Sequence, residues 1–303
     1  MERKRLRKHL KRIAVTGAAA GTAFTALSLG LAMFVMRGKR QTLDEDMEWQ
    51  TAHYDTSFYG ELEKTNYRIR SYDGYGLRVQ LLKNPTPTDR YIIISHGYTG
   101  NRMSSIKYVK MYLELGFNCI IYDLRGHGLN KHTFTTYSIR EGRDLAELIR
   151  DTRKRYKGIT QLGLHGESLG AASSAACLKY GPQVDFVVCD CGFADIDNVL
   201  RGAAGKFSFS VNIADLGARK LYHYSFKDMR PIDSLEQNRV PMLFIHGAED
   251  TFIRPDNSRR MAARTKGISE VHLIKGAGHA ESVLTDPVLY KKYVSDFLER
   301  IKH

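Results

Sequence analysis

From residue 90 onward, short runs of apolar residues alternate with longer amphipathic stretches, and few architectures accommodate that rhythm. The runs YIIIS (91–95), NCIIYD (118–123), QLGLH (161–165), DFVVCD (185–190), MLFIH (242–246) and VHLI (271–274) are apolar on both faces. Between and after them lie helical patterns such as IKYVKMYLELG, IREGRDLAELIRDTRKRYKG and VLYKKYVSDFLERI. Strands without a polar face must be covered on both sides, so the pattern predicts an α/β domain: a mainly parallel sheet of about eight strands with helices on both faces. NYRIRSYDGYGLRVQLLK reads as a hairpin around DGYG, which places the start of the domain near residue 61 and its end at 303. Residues 193–237 interrupt the rhythm with far more than a connecting loop, and they are read as a small helical cap over the C-terminal ends of the strands.

The front of the chain has a different composition. Residues 1–40 hold ten Lys/Arg against Glu2 alone, so most of the net charge of +13 sits there. The remainder is nearly balanced, which removes the main support for nucleic-acid binding. Residues 13–36 are 24 in number and uncharged, enough for a helix of about 36 Å at ~1.5 Å per residue. This predicts a basic cytoplasmic N-terminus (1–12), one transmembrane signal anchor (13–36) contacting membrane lipid, a stalk (37–60) and an extracytoplasmic domain. A cleaved signal peptide is the rival, but the run exceeds the usual h-region and no clear A-x-A site closes it. Cys119, Cys177, Cys189 and Cys191 fall in strand or packed-helix patterns and are read as buried free thiols.

The chemistry centres on Gly166-Glu167-Ser168-Leu169-Gly170, a G-x-S-x-G sequence between a strand and a helix rich in Ala and Ser. A sharp turn there projects the serine hydroxyl above the sheet, and the glycines leave room for it. A neutral hydroxyl needs a base oriented by an acid. Asp250 follows MLFIH and His279 follows VHLI, each in a loop at the C-terminal end of a strand, in the chain order serine, acid, histidine. Glu249 competes with Asp250 for the acid's place, and Asp190 and Asp195 are weaker alternatives. His165 and His246 are read as turn or packing residues at strand ends, His96 as shaping the oxyanion loop, His127 as part of the loop DLRGHG, His272 as a strand residue and His223 as part of the cap. Backbone N–H groups of Leu169 and of Tyr98, in HGYTGN, are expected to form an oxyanion hole.

Together IISHGYTGN, YDLRGHG, LHGESLGAAS, IHGAEDTFI and GAGHAES resemble the α/β-hydrolase superfamily over roughly residues 65–300, in particular bacterial membrane-anchored or secreted hydrolases similar to prolyl-oligopeptidase-like and cinnamoyl-esterase-like enzymes. The resemblance implies the α/β-hydrolase fold, a nucleophile at Ser168, a base at His279, orientation by Asp250, and neither metal nor organic cofactor. It does not fix a substrate; the complete set of serine, histidine and acid makes hydrolysis of a carboxylic ester through an acyl-enzyme the expected reaction, and small or medium esters fit the modest cap. Peptide or amide cleavage, acyl transfer, and a non-catalytic surface binding role stay open.

Overall fold

A computed structural model describes residues 21–301. The elements in chain order are α1 (residues 21–36), α2 (Leu43–His53), α3 (Phe58–Glu61), β1 (Lys64–Arg70), β2 (Gly76–Leu82), β3 (Arg90–Ser95), α4 (Ile106–Glu114), β4 (Asn118–Tyr122), α5 (Ile139–Arg155), β5 (Gln161–Glu167) and α6 (Leu169–Cys177). They continue with β6 (Phe186–Asp190), α7 (Ile196–Ala204), α8 (Phe209–Tyr222), β7 (Met242–Gly247), α9 (Asp256–Arg264), β8 (Ser269–Ile274), α10 (Ser282–Thr285) and α11 (Pro287–Arg300). One eight-stranded sheet runs β1-β2-β4-β3-β5-β6-β7-β8. The β1–β2 and β2–β4 pairs are antiparallel and every later pair is parallel.

Strand periodicity divides the core into two layers. Ile93, Ile120, Leu162, Leu164, Val187, Cys189, Met242 and Phe244 face one side and pack with residues of α5, α6 and α9. Their immediate neighbours Ile92, Ile94, Cys119, Ile121, Phe186, Val188, Leu243 and Ile245 face the other, where α4 and α11 supply Tyr108, Tyr112, Tyr290, Val294 and Phe297. Every residue of α6 is buried, and its small side chains permit close approach: a Cβ on Gly142 of α5 would lie 3.0 Å from the Ala176 methyl. The four cysteines are buried free thiols, and burial pushes Cys119, Cys177 and Cys189 above the usual thiol range.

The front of the domain differs from the expected membrane anchor. Among the described residues no helix is long and apolar enough to cross a membrane. Residues 1–12 and the first part of the apolar run, 13–20, lie outside the described residues. The part described, α1, docks on the domain: Ala32 and Met36 are fully buried, and Ser28 is nearly so. The Tyr98 hydroxyl donates to the Val35 carbonyl at 2.8 Å, the Thr135 N–H donates to Met36 at 2.9 Å, and Tyr137 also donates to Val35. Gly217 lets α8 cross α1, since a Cβ there would sit 2.0 Å from the Ser28 carbonyl oxygen. An uncharged apolar run can pack on a protein surface as well as in lipid, and here α1 lays one face on the domain and leaves Phe24, Leu27, Met33 and Phe34 exposed. The expected transmembrane topology, extracytoplasmic placement and lipid contact through this helix lose their basis.

Within residues 37–60, the stretch read as a stalk, α2 also docks. Asp46 is 1% exposed and accepts hydrogen bonds from the Asn101 N–H at 2.9 Å, the Ser104 N–H at 3.1 Å and the Ser104 hydroxyl at 2.6 Å. The insertion between β6 and β7 comprises α7, α8 and several short 3-10 turns.

Candidate active site

β5 ends at Glu167 and α6 begins at Leu169, leaving one residue to reverse the chain. Ser168 makes that reversal at φ 53 and ψ −112, a conformation costly for any residue with a Cβ. It is held there because its N–H donates to the Asp190 carbonyl at 2.8 Å and its own carbonyl accepts from Ala172 at 3.0 Å. The flanking glycines are steric requirements. A Cβ on Gly166 would come within 2.3 Å of the Gly170 carbonyl, and one on Gly170 within 2.1 Å of the Ser95 carbonyl oxygen.

Ser168, His279 and Asp250 are brought together from three strand ends. His279 Nε2 lies 3.1 Å from Ser168 Oγ, and His279 Nδ1 lies 2.7 Å from Asp250 Oδ2. The carboxylate's other oxygen accepts from the N–H groups of Phe252 at 3.0 Å and Ile253 at 2.8 Å. Burial alone would raise the Asp250 pKa, but bonds from His246, His279 and the Ile253 N–H prevail and hold it well below the usual carboxylate range. Asp250 is therefore a fixed anion, suited to orienting an imidazole with its proton on Nδ1 and its free nitrogen toward the serine.

The competing acids are otherwise engaged. Glu249 accepts from the Gly276 N–H at 3.0 Å and so fastens the loop that carries His279. Asp195 caps α7 through the Asn198 N–H at 3.0 Å and pairs with Arg260 at 2.8 Å. Asp190 lies on the far side of the serine, bonded to Tyr108. Of the histidines read as structural, His165 is fully buried between Tyr112 and Tyr290, and burial with nearby Lys107 pushes its pKa down to about 3.

Leu169 directly follows the serine, and Tyr98 directly follows Gly97 in the loop after β3. Leu169 opens α6, so its N–H has no preceding turn to bond. Gly97 brings the other loop close, since a Cβ there would be 3.8 Å from Ser168 Cβ. The Gly97–Tyr98 peptide is oriented from both ends. His96 Nδ1–H donates to the Gly97 carbonyl at 2.7 Å while His96 Nε2 accepts from the Leu124 N–H at 2.9 Å. His127, its pKa pushed well down by burial and by neighbouring His96 and Arg40, lies with one ring nitrogen 2.9 Å from the Arg125 carbonyl and the other 2.6 Å from the Tyr98 carbonyl. The Tyr98 phenol is engaged with α1 and with the Gly38 N–H at 2.9 Å.

Both the fold and the order of these loops now bear comparison with known proteins. A family model described as α/β hydrolase fold matches residues 91–215. Esterase Pf2001 of Pyrococcus furiosus superposes with a TM-score of 0.65 at 21% identity, covering 79% of this chain and 92% of that one. The chain has the α/β-hydrolase fold. It is similar to protein YqkD of Bacillus subtilis (strain 168), 29% identical over 96% of this chain and 98% of that protein. It is 26% identical to α/β hydrolase domain-containing protein 17C of Xenopus tropicalis, over 72% of this chain and 64% of that protein, a little under two thirds of the relative's length.

Sequence reasoning missed two parts of this α/β-hydrolase site. His246 touches Asp250 at 3.3 Å, and Lys107 and Tyr108 of α4 reach Glu167 behind the serine. A histidine at a strand end and a lysine on an amphipathic helix carry no distinguishing pattern, and their partners become neighbours only when the sheet assembles.

Proposed function

We propose that the protein hydrolyses small or medium carboxylic esters through an acyl-enzyme. The observation carrying this reading is the unbroken chain of contacts from Asp250 through His279 to Ser168, on a strained turn at the start of a helix. His279 Nε2 takes the proton as Ser168 Oγ bonds to the ester carbonyl carbon; the oxyanion is received by the N–H groups of Leu169 and Tyr98. The protonated His279, stabilised by Asp250, then returns the proton to the leaving alkoxide. Water enters by the same base and releases the acid. Phe252, half exposed and set edge-on to His279 with ring centroids 5.2 Å apart, offers an apolar surface beside the reacting carbonyl.

The test is steady-state kinetics of the full chain on p-nitrophenyl esters of graded acyl length. Ser168→Ala is expected to lower kcat by at least ~1,000-fold with an unchanged melting temperature, as removal of a nucleophile does. Equal rates in the variant and the original chain would overturn the proposal.

A further inference from the structure

Behind the serine lies a charged cluster that takes no part in the proton transfers. Lys107 and Tyr108 come from α4, Glu167 is the last residue of β5 and immediately precedes the serine, and Asp190 ends β6. Lys107 Nζ forms an ion pair with Glu167 Oε2, the two side chains being only 4% and 8% exposed. The Tyr108 hydroxyl sits 2.6 Å from Glu167 Oε2 and 3.0 Å from Asp190 Oδ2, bridging the carboxyl groups with one proton. The rings of Trp49, Tyr54 and Tyr108 lie 5.4–6.0 Å from the ammonium, surrounding the cation with aromatic faces.

Two contacts connect this cluster to the site. The Asp190 carbonyl receives the Ser168 N–H, and Glu167 Oε1 lies against the loop bearing Tyr98, 3.3 Å from where a Cβ on Gly97 would be. An anion at that place, buried and unscreened, would oppose negative charge developing on a bound carbonyl oxygen, because electrostatic effects strengthen away from water. Burial disfavours a charged lysine, yet Glu167 and Asp190 overcome that and hold Lys107 above its usual range.

We propose that Lys107 is a positioning residue for the reaction at Ser168: by neutralising Glu167 directly behind the nucleophile and the Tyr98 loop, it lets the oxyanion form against a balanced field. Lys107 acts through Glu167 and touches no substrate. This rests on the ester-hydrolase reading.

The experiment compares the full chain with Lys107→Met, Lys107→Arg, Glu167→Gln and the double variant Lys107→Met/Glu167→Gln, measuring kcat, KM and thermal melting on one p-nitrophenyl ester. Lys107→Met is expected to lower kcat on the order of ten- to a hundred-fold with KM changed less than about two-fold. Removing the stranded anion in the double variant should restore most of that loss, and Lys107→Arg should retain at least about a third of kcat. A double variant no faster than Lys107→Met would overturn the proposal, as would an unchanged kcat in Lys107→Met. Should Lys107→Met not fold, Lys107→Arg and the double variant decide: both inactive while folded is the overturning result. An original chain without ester turnover instead removes the reading on which the inference rests, so the two failures are distinguishable.

Discussion

At Ser168 the backbone conformation, the two flanking glycines and the nearby imidazole depend on one another. A positive φ is held because Gly166 and Gly170 let the turn press against α6 and against the end of β3. A methyl at residue 170 would meet backbone atoms, which cannot rotate aside. Gly170→Ala is therefore expected to destabilise the fold by roughly 3 kcal/mol or more, and to lower ester turnover even in the folded fraction because Ser168 shifts. A variant that melts with the original chain and keeps its rate would contradict this. These residues were legible in the sequence because G-x-S-x-G, GAEDTFI and GAGHAES each follow an apolar strand in the required order. The choice between Asp250 and Glu249 was less so. Adjacent acids look alike in sequence, and only the turn geometry sends one carboxylate to His279 and the other to Gly276.

Among the elements, α1 shows where composition fails to decide between solvents. Its exposed face carries Phe24, Leu27, Met33 and Phe34, its inner face Ala32 and Met36, and the whole reads as one uncharged run. What the sequence could not reveal is that the Val35 carbonyl is the acceptor for Tyr98 and Tyr137, residues separated from it by 63 and 102 positions. Deleting residues 1–36 would uncover those tyrosines and the face of α8 at Gly217. We expect a fall in melting temperature on the order of 10 °C, given about 1.5–3 kcal/mol for each large apolar side chain left exposed, and a reduced kcat from a loosened Tyr98 loop. Equal melting of the shortened and full chains would show that α1 contributes nothing to the domain. The strands and their flanking helices were easier to read, since period-two burial on both faces leaves continuous apolar runs.

For the whole molecule, the sheet brings unlike carboxyl groups into one interior, and their opposite shifts shape stability with pH. Burial and then Glu167 raise Asp190 to about 6, and burial likewise raises Asp144 to about 6. Between about pH 4 and pH 6 the folded chain thus holds protons that the unfolded chain has released, so stability falls as pH rises through that window. Asp250 acts in the opposite sense: its contribution is present above about pH 4 and is lost as pH falls toward its lowered folded value. Asp190→Asn should flatten the decline between pH 4 and 6, a change of up to roughly 3 kcal/mol readable by denaturant melts at several pH values; an unaltered slope would contradict this. The assembly of Ser168, His279 and Asp250 is the claim on which the rest depends. Its most direct test is labelling of the full chain with a fluorophosphonate and location of the adduct by mass spectrometry. Modification at Ser168 that is lost in folded His279→Ala is the expected result; a folded chain that takes no label, or takes it equally without His279, would overturn the assembly.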